Sequence, residues 1–238
     1  MNLLPTITTV DVQEQAPRVA VLPVGSYEQH GAYLPLITDT AIACIIAREL
    51  SAAYPVLTLP PISIACSHEH GTWPGTVSIS ARTLHAVITD IAASLEASGV
   101  RKLVLVNAHG GNYVLSNIVQ EANLVEPRMS LFPQSGEWNR AREHAGLSSS
   151  AHDDMHAGEI ETSILLHSEP GLVRPGYEAA DHDASDRPFL LTLGMKAYTN
   201  TGVIGFPSRA TAEKGKAVLE SLTNSFAAHL EAMGEAST

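Results

Sequence analysis

The chain has 238 residues, 45% hydrophobic and 16% charged, which suits one sizeable α/β core and excludes a largely disordered chain. A formal net charge of -11 excludes the Lys/Arg-rich surface on which nonspecific binding to nucleic acid or anionic membranes depends. No apolar run reaches transmembrane length, and the first thirty residues lack the basic start, apolar stretch and cleavage site of an export signal, so a cytoplasmic protein with a single domain over residues 1–238 is expected.

In chain order, residues 18–25 (RVAVLPVG) read as an apolar strand buried on both faces, and residues 39–53 (DTAIACIIARELSAA) as the helix that follows. Residues 54–60 (YPVLTLP) suggest a second strand, and residues 80–99 a helix with Ser80 as N-cap and Gly99 as its stop. A third strand over 101–108 (RKLVLVNA), a helix over 112–126 and a fourth strand over 128–132 (RMSLF) continue the alternation. Residues 133–155 lack periodicity and are rich in Ser, Gly and charge, which predicts a long surface excursion or lid, with Trp138 at a lid or subunit contact. Residues 171–210 are similarly irregular, and residues 211–233 close the chain as one amphipathic helix. Strand and helix alternate, so the expected architecture is α/β, with a mostly parallel central sheet and helices on both faces. Cys44 and Cys66 stand in apolar runs and read as buried free thiols.

Eleven histidines are many for this length, and several fall beside acids or glycines at strand ends, where open α/β sheets bind ligands. Glu28 and His30 are two apart, so an extended backbone points both to one side and suits them to adjacent metal ions, with Asp39 able to bridge. Asp39 is equally suited to N-cap the following helix, leaving Glu28 and His30 as solvated turn residues. His109 opens His-Gly-Gly-Asn at a strand tip, where Gly110 and Gly111 allow close approach to a ligand; a plain tight turn with Asn112 as N-cap is the alternative. His156, Glu159 and Glu161 fall where a loop turns helical, and Glu159 reads equally as an ordinary first-turn acid. Glu69, His70 and Trp73 border a Gly/Pro-rich loop that would serve as a substrate wall or as a simple turn. The dinucleotide, P-loop and nucleophile-elbow motifs are all missing.

Together, LPVGSYEQHGAYLPLITDT (22–40), HEHGTWPGTVSIS (68–80), LVNAHGGN (105–112) and HAGEIETS (156–163) resemble the creatininase family of amidohydrolases, in order and spacing. The resemblance implies a three-layer α/β/α sandwich and two divalent metal ions per subunit, with zinc, manganese and iron(II) all compatible with carboxylate and imidazole ligands. It implies Glu28 and His109 on one ion, His30 on the other, Asp39 bridging, and His156 as the catalytic histidine. Creatininase proper has an acid where this chain has Gly111, which argues against creatinine as substrate; Glu161 is the candidate to supply that carboxylate or to orient the attacking water. Glu69, His70, Trp73, Gly110, Gly111 and Asn112 are the candidate substrate-binding residues. The implied reaction is hydrolysis of a non-peptide C–N bond in a small cyclic amide or formamide. Deformylation of a pyrimidine nucleotide is placed ahead of trimming a redox-cofactor precursor peptide, with a noncatalytic metal-binding protein on the same fold as the alternative from another class. The expected partners are a small amide substrate and further copies of the chain, often six in this family.

Overall fold

A computed structural model describes residues 4–236. Four strands, β1 (Val19–Val24), β2 (Val56–Thr58), β3 (Lys102–Asn107) and β4 (Met129–Phe132), form one all-parallel sheet in the order β2-β1-β3-β4. Period-2 alternation divides their side chains. Val19, Val21, Val104, Val106 and Phe132 pack against α2 (Thr38–Ala53), α6 (Glu159–Ser168) and α8 (Ala212–Ser225), while Ala20, Leu22, Val24, Leu103 and Leu105 pack against α3 (Ala81–Ala97) and α4 (Val114–Ala122). Helices on both faces remove the sheet from water, which is why the strands read as continuous apolar runs rather than alternating ones.

The order of the strands places the site. From β1 the chain crosses to β2 on one side and then returns to β3 on the other, so the carboxyl ends of β1 and β3 flank the point where the winding reverses. Gly25, just past β1, lets the first turn of α2 dock on that tip, since a Cβ there would lie 2.3 Å from the Thr40 nitrogen. This contact carries Asp39 to the strand end.

Several elements differ from expectation. A helix absent from the sequence reading, α1 (Thr9–Gln15), is closed by a capping box in which the Thr8 hydroxyl accepts from the Asp11 amide and the Asp11 carboxylate accepts from the Thr8 amide; it buries no residue, so no apolar stripe marked it. Residues 133–155 are not irregular throughout, because α5 (Ser135–His144) fills their first half under a Gln134/Glu137 capping box. Ala141 and Arg142 are its buried residues, too few for a periodic signal, and Trp138 packs against the core rather than standing free as a lid. The closing helix breaks at Phe226, buried against Phe132 and His229, into α8 and α9 (Ala227–Ala232). A four-residue helix, α7 (Leu190–Leu193), interrupts the irregular stretch 171–210. Cys66 is buried and Cys44 half-buried, and the two do not form a disulfide. None of the helices in the described residues is long and apolar enough to cross a membrane.

Candidate metal centre

Beyond β1 the chain runs through Glu28 and His30, with isolated bridges at Tyr27 and His30, and the β3 tip delivers His109 beside them. Glu28, His30, Asp39 and His109 are buried, none exposing more than 5% of its surface. Asp39 lies between the two imidazoles: its Oδ1 is 3.0 Å from His30 Nε2, its Oδ2 is 3.0 Å from His109 Nδ1, and Oδ2 also accepts from the Ser26 hydroxyl at 2.6 Å. It does not cap α2. The N-cap is Ile37, no side chain bonds the helix start, and Asp39 sits inside the first turn with its carboxylate turned toward the strand tips.

Backbone carbonyls fix which nitrogen of each ring carries a proton. His30 Nδ1 donates to the Glu28 carbonyl at 3.1 Å and His109 Nε2 donates to the Cys66 carbonyl at 2.8 Å. Each ring, once it gives up the second proton that Asp39 holds on it, offers the nitrogen facing Asp39 to a cation, and a carbonyl that orients an imidazole in this way is the usual support of a metal ligand. Glu28 completes the picture. Its carboxylate is fully buried, His70 Nε2 and His109 Nε2 approach it at 3.2 Å and His156 Nδ1 at 3.7 Å, yet neither oxygen has a hydrogen-bond partner. A buried carboxylate left this way costs several kcal/mol, roughly, unless a cation or proton compensates it. Four sets of side chains bring ligand atoms within 4.8 Å of one another: Glu28/Asp39/His109, His30/Asp39/Glu161, Glu28/His30/His156 and Glu28/Glu69/His70.

Without a cation the cluster is electrostatically strained. Burial raises Glu28 and Glu161 above the usual carboxylate range, although His109 and His30 respectively oppose the shift. For His30 and His109 burial works against the charged form, but Asp39 outweighs it at His30, and Glu28 with Asp39 outweighs it at His109, raising the two to about 9 and about 10. Asp39 is held well below its ordinary value because, against burial, both imidazoles attract its charge.

Gln29, which the sequence reading passed over, organises the remaining histidines. Its side-chain oxygen accepts from the Gly31 amide at 3.0 Å, so its NH2 is the group that donates to the Gly202 carbonyl at 3.0 Å and to His70 Nδ1 at 2.9 Å. His70 therefore carries its proton on Nε2, aimed at Glu28, and burial followed by repulsion from His30 and His109 pushes it down to about 3. The Gln29 carbonyl accepts from His156 Nε2 at 2.7 Å, which leaves His156 Nδ1 unprotonated and facing Glu28. His156 lies between His30 and His70, its ring tilted against both with centroids 4.2 and 4.5 Å away, and burial with these two neighbours holds it well below the ordinary imidazole range. Residue 29 lies between Glu28 and His30 but is itself neither acid nor base, so a reading that weighs only titratable residues passes over it.

The other candidates are distributed around this cluster. Glu161 Oε2 accepts from the Ala157 amide at 2.6 Å, and Tyr33 donates to the Ala157 carbonyl, so the loop bearing His156 is tied at both faces. Glu159 does not join the centre: it takes hydrogen bonds from Ser149 and an ion pair from Lys214 at 2.6 Å. Asn112 is not the cap of α4, which begins at Val114; its amide is spent on the Cys66 nitrogen, the Gly25 carbonyl and Asn107, pinning the two strand tips together. Trp73 stands apart from the ligand sets, its ring beneath the Lys196 ammonium. Two cavities border the 109–111 turn: one of about 540 Å³ lined by His109, Gly110, Trp138 and Glu161, the other of about 520 Å³ lined by Glu69, Gly111, Tyr113 and Leu191.

The creatininase (creatinine amidohydrolase) family model matches residues 5–230. The chain belongs to the creatininase family. This creatininase-family chain is 32% identical to the mycofactocin precursor peptide peptidase of Mycobacterium tuberculosis, over 93% of its own length and 87% of the relative's. It is 24% identical to the creatinine amidohydrolase of Pseudomonas putida over 85% and 84% of the two chains. The pyrimidine-nucleotide deformylase of Methanothermus fervidus is 31% identical but matches only 66% of its own length. A solved creatinine amidohydrolase-like protein from Bacteroides fragilis superposes with a TM-score of 0.79 at 26% identity, covering 98% of this chain and 97% of the other. Creatininase with Mn gives the same fold at TM-score 0.79 and 22% identity, covering 97% and 98%. The chain is a metal-dependent amidohydrolase, a hydrolase of C–N bonds.

Proposed function

We propose that the enzyme hydrolyses an amide bond in a peptide, at two divalent ions held by Glu28, His30, Asp39, His109 and Glu161. The observation that carries the metal reading is the Glu28 carboxylate, fully buried with both oxygens unpartnered among imidazoles. A peptide is favoured over a formamide or a small ring by the two cavities of about 540 and 520 Å³ that border the 109–111 turn, each with more room than a formyl group or a small ring needs. The length and identity of the match to precursor-peptide peptidases point the same way, while the match to the deformylases is partial.

An amide resists hydrolysis because it needs both a strong nucleophile and a protonated leaving amine. Divalent ions held by these carboxylates and imidazoles would supply the first, bringing the pKa of water down to about 7 and polarising the carbonyl oxygen. His156 supplies the second. Its Nδ1 is unprotonated, faces the cluster and belongs to a ring fixed by the Gln29 carbonyl, so it accepts a proton and returns it to the amine nitrogen. Neutral His70 brings its Nε2 to 3.2 Å from Glu28 Oε1 and so helps to wall in that carboxylate.

Two measurements test this reading. A panel of short peptides, formamides and lactams including creatinine, assayed for amine and formate release with and without added metal, should show metal-dependent turnover of peptides; formate release alone would transfer the assignment to a deformylase. Metal uptake should also release protons. His30 and His109, at about 9 and about 10 in the metal-free cluster, are charged at neutral pH and must become neutral to ligate, so apparent affinity should rise as pH increases toward 9. Calorimetric titrations in buffers of different protonation enthalpy read the proton count, and a pH-independent affinity contradicts the assignment of these two ligands.

A further inference from the structure

Gly111 is a glycine for want of space. Its φ is not positive, so its backbone suits any residue, yet a Cβ built on it would lie 2.0 Å from Glu69 Oε1, 2.4 Å from His109 Nε2 and 2.9 Å from the Cys66 carbonyl oxygen. The volume that a side chain at 111 would need is occupied by the Glu69 carboxylate. Glu69 arrives from the opposite wall, on a single 3-10 turn (His68–His70), and its carboxylate is 18% exposed, at the boundary between the buried cluster and the cavity of about 520 Å³. There it stands 3.5 Å from His109 Nε2, with an oxygen within 4.8 Å of ligand atoms of Glu28 and His70. Two carboxylates this close repel unless a cation or a proton lies between them. Glu28 independently marks the spot, being fully buried with neither oxygen partnered.

We propose that Glu69 is a further carboxylate ligand of the centre, joining Glu28 on the side that faces the cavity, and that Gly111 leaves open the space through which it reaches. This rests on the metal-centre reading above. It makes Glu69 the one proposed ligand delivered by neither strand tip nor by α2 or α6, and it assigns to the 3-10 turn a role in metal retention rather than in contacting substrate.

The test uses the full chain and Glu69→Gln, each stripped of metal and reloaded with Co2+, with stoichiometry and affinity from chelator competition and coordination from the visible spectrum. The expected result is a fall of more than about tenfold in the affinity of one ion, a changed cobalt spectrum, and an unchanged melting temperature of the metal-free protein. Unchanged affinities and spectrum, with only KM altered, would overturn the proposal and return Glu69 to substrate binding. Equal weakening of both ions with a lower metal-free melting temperature would also overturn it, as a structural effect. A parent protein that takes up no cobalt would defeat the metal-centre reading itself.

Discussion

Asp39→Asn should strip most of the metal and lower turnover by at least ~1,000-fold, since both ions and their oriented ligands are lost together. Asp39 sets each of its two oxygens 3.0 Å from a different histidine, at the nitrogen that the backbone carbonyls leave for a cation. An asparagine keeps the shape but presents one oxygen and one NH2, and an NH2 cannot ligate a cation. The Ser26 hydroxyl, which now donates to Oδ2 at 2.6 Å, would hold whichever amide atom faces it and so would not restore the second ligand. Elemental analysis of parent and variant, both purified without added metal or affinity tag, reads the outcome: close to two ions per parent chain and a large deficit in the variant. If the variant retained the parent's metal, Asp39 would be a residue that merely orients two imidazoles, and the bridged centre would have to be abandoned.

The legible part of this architecture was the part written in runs. β1 and β3 are six-residue strands, buried on both faces, whose valines and leucines announce them, and the winding rule then says that their carboxyl ends meet. Glu28, His30 and His109 could be set at those ends from sequence alone, and the structure brings them together with Asp39. What could not be read is whatever depends on a side chain crossing the cleft. Asn112 has the residue type and place of a helix cap, but tertiary hydrogen bonds to Cys66 and Gly25 claim it first. Gln29 has no acid/base signature, and its importance appears only when the carbonyl of Gly202, more than a hundred residues later, accepts a hydrogen bond from its NH2. The same holds for the support beneath His156. Asp154 accepts from the amides of Glu159, Ile160 and Phe206 and pairs with buried Arg142 from α5, a helix whose polar sequence conceals it. Local pattern fixes elements with a hydrophobic face, whereas polar elements that earn their place through long-range hydrogen bonds leave little trace in a window of the sequence.

The second large effect separates proton transfer from metal retention. His156→Ala should keep its metal while turnover falls by about 100- to 10,000-fold, the range that a positioned acid/base contributes. Retention follows from the geometry: Asp39, His30, His109 and Glu161 bond to one another or to backbone without using the His156 ring, whose own partners are the Gln29 carbonyl and the neighbouring rings. The loop should hold as well, because the backbone of residue 156 pairs with Ile204 through both its amide and its carbonyl. Loss of turnover follows because the leaving nitrogen departs only as an amine, and among these imidazoles only His156 has an unprotonated nitrogen directed at the cluster without Asp39 opposite it. Added imidazole should restore part of the rate, since the vacated space lies between His30 and His70 and is the size of the missing ring. Full activity in the metal-replete variant would remove His156 from the reaction. Loss of metal in parallel with activity would make it a ligand, through the set it forms with Glu28 and His30.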